Sequence, residues 1–440
     1  MELSQILKDA GIVGAGGAGF PSYAKLAEGA DTLLINGSEC EPLLYTDYAI
    51  LKYELSSVVE GAELVIGAMG IRRCVLAIKK HTAKRLCLED GARLGERVTV
   101  KVLPDVYPIG DEVSLVYQSL GRIIRPGNLP ITVGVIVFNV ETVYNCYHAI
   151  KHARPVTEKW LTVGGDIKSP CVLRAPIGTR VDSLLSGLGI KVDEGHVLID
   201  GGPSMGKLVD PATATVTKTT KALLILPEHI EAVRSKRINQ TAAVARAETA
   251  CCQCTRCTDM CPRFLLGYPL EPHKMVRTAM GAVKVSPEMV ISATLCCGCG
   301  ICESLACSQG ISPKAVINNY KALLASNKMK YKADVDSVAR HERDWRQIPS
   351  ERWASALGVN RFDTVPEYIG WRDVERVELS LTGHIGAPSI PTVTDGDLVS
   401  KGELVATANQ GLSIPQHSPF DGRVSLVSKK IIIDKVDRNV

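Results

Sequence analysis

Cys251, Cys254, Cys257 and Cys261 stand in a C-x2-C-x2-C-x3-C run closed by Pro262. Three thiolates at this spacing reach three corners of an iron–sulfur cube from one tight loop, the fourth ligand comes from farther off, and the proline helps end the loop. Cys296, Cys299 and Cys302 repeat the spacing, with Cys307 following after four residues and no proline. The two runs predict two 4Fe-4S clusters. Where two such runs occur, the last cysteine of each ligates the other cluster. The expected sets are therefore Cys251, Cys254 and Cys257 with Cys307, and Cys296, Cys299 and Cys302 with Cys261. Cys252 and Cys297, beside the ligands, are expected to be small packing residues, as are Cys40, Cys74, Cys87, Cys146 and Cys171.

A second kind of chemistry is signalled near the start of the chain. Gly14-Ala15-Gly16-Gly17-Ala18-Gly19 satisfies G-x-G-x-x-G, but an amphipathic segment precedes it and Phe20-Pro21 follows at once, so it is not a dinucleotide fingerprint, which needs a strand before and a helix after. What it offers is a group of amides, free of side chains, that can approach a phosphate or a flat ring. Acids and amides recur where strands are expected to end: Asn36 to Pro42, Tyr107 to Glu112, and Phe138 to Thr142. Ligand sites of α/β sheets lie at such carboxyl ends. Each acid taken singly could instead cap the helix that follows; the joint pattern favours a site.

Strands are expected at Asp31–Asn36, Cys74–Ile78, Val98–Leu103 and Val133–Phe138, with helices at Asp47–Met69, His81–Gly91, Asp111–Leu120 and Val140–His152. From Trp160 to Pro227 short β-rich runs are punctuated by Gly and Pro. A polar helical stretch, Glu228–Thr249, leads into the cysteines. Tyr331 to Trp371 is polar and holds three of the four Trp residues, which suggests a connection wrapped on other domains. Val374 to Val440 returns to short strands and turns.

Ten of the 15 cysteines fall between Cys251 and Cys307, unlike a disulfide scaffold. Glu2, Lys8 and Asp9 occupy the stretch where a signal core would need apolar residues. A reducing cytoplasm is the expected setting. The 440 residues carry 51 Lys+Arg against 47 Asp+Glu, a net +4, which gives no reason to expect a nucleic-acid partner. No apolar run approaches the roughly 18 residues of a membrane span.

The segments Gly14–Lys25, Asn36–Pro42, Tyr107–Glu112 and Asn139–Thr142 resemble, in order and spacing, the flavin-binding subunit of respiratory NADH dehydrogenase and, more closely, the C subunit of the Rnf complex. His384-Ile385-Gly386-Ala387-Pro388 with His417 to Gly422 looks like the barrel-sandwich domain that Rnf C subunits carry first and this chain carries last. That order, with Cys251 to His273, is similar to the PduS-type cobalamin reductases of propanediol-utilisation microcompartments. The resemblance implies an α/β multidomain protein: an FMN- and NADH-binding α/β domain (1–155), an α+β β-grasp module (156–228), a helical two-cluster ferredoxin-like region (229–330), a connection (331–373) and a β barrel-sandwich (374–440).

It further implies that amides of Gly14, Gly16, Gly17 and Gly19 cradle FMN, that Lys25 contacts its phosphate side, and that Asn36, Glu39, Tyr107, Gly110, Asp111, Asn139 and Thr142 line it. Glu41 and Glu112 are expected to face NADH, although Asp111-Glu112 stands where respiratory subunits have two glutamates. The implied activity is an NADH-dependent reductase sending electrons through FMN and two 4Fe-4S clusters to a corrinoid, with an adenosyltransferase and a microcompartment shell protein as implied partners. The alternative is an Rnf C-like protein delivering to ferredoxin or another reductase. A different class again is an electron-transfer scaffold whose glycine loop is only a turn.

Overall fold

The computed structural model describes residues 2–283, 286–332, 336–427 and 429–436. Residues 437–440, the outer edge of the expected C-terminal domain, lie outside the described residues.

Four parallel strands form the first sheet in the spatial order Val98–Leu103, Arg73–Lys79, Thr32–Gly37, Val135–Asn139. Their apolar runs are buried on both faces, as a parallel sheet requires. Alternation assigns the faces. Leu33 and Ile35 pack under helices Leu55–Met69 and Val140–His152, whereas Leu34, Val75 and Val137 pack against Leu266, Tyr268, Met275 and Ile317. The cysteine region is therefore built onto the sheet's second face. The two helices on the first face cross closely at Gly61, where a Cβ would lie 2.7 Å from the carbonyl oxygen of Val143.

The helix expected over Asp47–Met69 is two, Thr46–Tyr53 and Leu55–Met69. Glu54 leaves the helical region at φ −130°, ψ 24°. The break lets Thr46 bond the Lys221 carbonyl (3.0 Å) and sets the Tyr53 ring 4.8 Å from that of Tyr368. The polar stretch after Glu228 is likewise interrupted, with Asn239 capping a new helix at Gln240–Ala250.

A second sheet of six strands has Glu158–Gly165 and Ala222–Pro227 side by side and parallel at its centre, with helix Val181–Gly187 over one face. Its edge strand, Glu367–Trp371, comes from the connection and pairs with Cys171–Pro176. The connection also pairs Ile348 with Tyr107 and supplies helix Ser350–Leu357, whose Trp353 is fully buried. It is thus stitched to both earlier units, although Trp345 and Trp371 are exposed.

The last segment forms one sheet of four strands and one of three, and they do not close into a barrel. It docks back on the start of the chain. Ile385 donates its N–H to the Gly19 carbonyl (3.0 Å), and Tyr23 its hydroxyl to the Ser413 carbonyl (3.1 Å). Lys218 of the second unit bridges the carbonyls of Gly11 (2.8 Å) and Pro415 (3.2 Å).

Candidate functional site

The glycine loop is closed by its own backbone: Gly14 N–H donates to Phe20 (2.8 Å) and Gly19 N–H to Gly14 (3.2 Å). These two amides are spent on the turn, which corrects the expectation that they would face a ligand. Ala15 N–H donates to the Thr142 hydroxyl (3.0 Å), seating the loop on the first turn of helix Val140–His152. Among the described residues the N–H groups of Gly16, Gly17 and Ala18 have no protein acceptor, and all three residues are exposed. Gly17, at φ +105°, has nothing within 4 Å of where a Cβ would be. Three free amides beside a helix N-terminus make a cradle for a phosphate group.

The chain order places a topological switch beside this cradle. From strand Thr32–Gly37 it steps outward on one side through the next two strands and then returns to the other side with Val135–Asn139. The crevice opens between Asn36 and Asn139, which are partners in register. Asn36 bonds the Gly110 carbonyl (3.0 Å) and Asn139 the Asp47 carboxylate (2.8 Å), while the Asn139 oxygen caps the following helix. Lys25 donates to Glu112 (2.9 Å) and to the Val137 carbonyl (3.2 Å). A Cβ on Gly110 would lie 2.7 Å from the Ser38 hydroxyl, so glycine is required where that turn meets the Asn36–Pro42 loop. The switch point thus brings together the free amides, Lys25, Asn36, Gly110 and Asn139, with Thr142 buried beneath the loop; a phosphate cradle beside a cation fits the phosphate end of a flavin nucleotide.

The two acids expected to face NADH part company. Glu112 pairs with Lys25, whereas Glu41 accepts N–H bonds from Ser204 (2.7 Å) and Met205 (3.2 Å) in the second unit. Burial pushes Glu41 above the usual carboxylate range. Glu39 accepts from the amides of Asp47 and Tyr48; burial, then the Asp47 carboxylate, push it up to about 7.

Behind the crevice lies a buried charge network. Lys159 pairs with Glu141 and reaches the Ala15 carbonyl (3.3 Å), and Lys221 pairs with Asp47 (2.5 Å) and lies 3.8 Å from Glu141. Glu141 has no role on sequence grounds although it sits inside the Asn139–Thr142 motif. The available signal was a lysine at the start of each of two largely apolar strands, Lys159 and Lys221.

The cysteines surround two cavities. One, of about 470 Å³ including its open mouth, is lined by Cys251, Cys254, Cys257 and Cys307; the other, of about 340 Å³ on the same measure, by Cys261, Cys296, Cys299 and Cys302. Each takes three thiols from one run and one from the other. Cys252 and Cys297 line the same walls, while Cys87, expected in a core, is exposed. Among the described residues no three ligating groups close on a single ion. The two loops share their bends: Gln253 and Thr255 adopt φ 56° and 60° where the second run has Gly298 and Gly300 at 77° and 84°. Left-handed positions curl each loop around its cavity.

The first unit and the thiol loops meet directly, through Tyr107 and Asp111, two residues expected at the flavin. The Tyr107 hydroxyl donates to the carbonyl of Cys299 (2.7 Å), and its ring stacks on Trp353 with centroids 4.6 Å apart. Asp111, which caps helix Glu112–Leu120, pairs with the largely buried Arg263 (2.6 Å), two residues from Cys261.

Residues 7–148 match the Nuo51 FMN-binding domain, residues 250–312 a 4Fe-4S dicluster domain, and residues 371–438 the RnfC barrel sandwich hybrid domain. The cobalamin reductase PduS of Salmonella typhimurium is 36% identical over 438 residues, covering 98% of this chain and 96% of that protein. The chain belongs to the PduS cobalamin reductase family. The Citrobacter freundii PduS is 35% identical, covering 97% of this chain and 94% of that one. The C subunit of the ion-translocating oxidoreductase complex of Rhodobacter capsulatus is 31% identical over 64% of this chain and 54% of its own length. Family membership makes the chain an oxidoreductase with an FMN-binding domain and two 4Fe-4S clusters. Among the described residues no helix is long and apolar enough to cross a membrane.

Proposed function

We propose that the chain oxidises NADH and passes the electrons to a corrinoid, reducing its cobalt. In outline, one NADH and two Co(III) centres give NAD+, one proton and two Co(II) centres. FMN, able to hold two, one or no transferable electrons, supplies the link between a hydride donor and one-electron carriers. The amides of Gly16, Gly17 and Ala18, with Lys25, take the phosphate side of that cofactor, while Asn36, Gly110, Asn139 and Thr142 shape the crevice. Glu112, at the crevice mouth, faces the dinucleotide, and Glu41 fixes the second unit against the loop that carries it. The cysteine sets follow the two cavities: Cys251, Cys254, Cys257 and Cys307; Cys296, Cys299, Cys302 and Cys261.

The observation that carries this reading is the Tyr107–Cys299 hydrogen bond, which joins a residue of the FMN-binding domain to a cluster loop within one polypeptide. The test is anaerobic NADH oxidation with cob(III)alamin and cob(II)alamin competing against ferredoxin. Preferential corrinoid reduction is expected; reduction of ferredoxin alone defeats the reading in favour of an Rnf C-like role. A corrinoid adenosyltransferase that consumes the reduced product, and a place inside a microcompartment beside a shell protein, belong to the same proposal. Co-purification from propanediol-grown cells tests both.

A further inference from the structure

A third cavity, of about 1610 Å³ including its open mouth, belongs neither to the glycine cradle nor to the thiol loops. Its floor is the carboxyl edge of the parallel sheet at Lys79 and Asp105, with the Glu39–Leu44 loop. Its far wall is helix Ser350–Leu357 and the turn at Asn360 to Asp363. Lys79 is 2% exposed, yet its ammonium group donates only to the Ser350 hydroxyl (2.8 Å) and makes no ion pair among the described residues, which leaves it donors to spare. Burial holds its pKa below the ordinary value. Arg85 lies over the rings of Tyr45 and Tyr48 (5.6 and 5.8 Å), and Tyr45 is tied to Asp363 (2.7 Å).

The charge of the lining narrows the ligand class. Burial pushes the Glu39 and Glu41 carboxyls up, so the lining sets Asp105, Glu351 and Asp363 against Lys79, His81 and Arg85, three acids facing three basic groups. A diphosphate-bearing dinucleotide would find no surplus of positive charge there. A ligand edged with neutral carboxamides suits such a balanced polar lining: Glu351 at the rim accepts amide N–H groups and favours a cationic metal, and Lys79 donates to an amide oxygen. The Glu39–Leu44 loop begins three residues after Asn36 of the flavin crevice, so an occupant would sit against the same loop.

Resting on the corrinoid reading above, we propose that this cavity is the corrinoid-binding site. The experiment measures anaerobic equilibrium binding of aquacobalamin to the holoprotein by its visible-band shift, in the parent, Ser355→Trp, which crowds the far wall of the cavity, and Glu351→Arg, at the exposed rim. Both variants are expected to bind at least tenfold more weakly, with flavin content, iron content and NADH–ferricyanide turnover unchanged. Glu351→Arg should also shrink the preference for cationic aquacobalamin over neutral cyanocobalamin. Unaltered binding in Glu351→Arg, or in a folded Ser355→Trp, overturns the assignment, as does a raised KM for NADH with corrinoid binding intact. If the parent itself neither binds nor reduces the corrinoid, the functional reading fails first, and that outcome is separable from the others.

Discussion

The Tyr107 hydroxyl donates a 2.7 Å hydrogen bond to the carbonyl oxygen of Cys299 while its ring lies flat on Trp353. The bond holds the thiolate-bearing loop against the flavin domain, and the stack holds the bond. Tyr107→Phe removes only the hydroxyl. It is expected to cost about 1–2 kcal/mol by stranding a buried carbonyl, and to shift the paramagnetic resonance spectrum of one reduced cluster while leaving the other untouched. Urea midpoints and low-temperature spectra check the pair of effects; two unaltered cluster signals would count against the coupling.

Crossed ligation has a signature independent of turnover. Cys254→Ser and Cys307→Ser should leave the same residual cluster spectrum, and Cys299→Ser and Cys261→Ser should share the other one. Ligation within each run would instead group Cys307 with Cys299. Iron should fall by about half in every case, as expected for loss of one of two cubes.

Glu39 predicts a stability slope. Its folded pKa of about 7 lies above the ordinary 4.5, so between those values the folded chain holds a proton that the unfolded chain has lost. Stability contributed by this group therefore falls as pH rises through that window, by at most about 1.4 kcal/mol per pH unit. Glu39→Gln should remove that decline, and denaturant midpoints of the two proteins should diverge in the variant's favour between about pH 5 and pH 7.

Lys218 predicts a slope of opposite sign. Burial brings it down to about 7 from an ordinary 10.5, so across that interval the unfolded chain carries the extra proton and stability rises with pH. The cost of burying the cation is fully present below about pH 7. Lys218→Met should accordingly compare best with the parent at low pH and lose ground towards pH 10, as followed by thermal unfolding.

The cysteine cavities were legible because cluster ligation is a local pattern: spacing in the chain translates directly into spacing around a cube. The switch-point crevice was legible for a related reason, since strand ends can be located from apolar runs. The buried network of Asp47, Glu141, Lys159 and Lys221 was not. Its members come from four distant segments, and each taken singly looks like a solvated charge beside an element's end. Nor could sequence distinguish Glu41 from Glu112, because the loop that engages Glu41 belongs to another unit more than 160 residues away.

The Gly19–Ile385 contact and the Lys218 bridge bring the last module of the chain onto its first loop. Removing the last module would therefore strip a hydrogen-bond partner from the loop that carries the free amides.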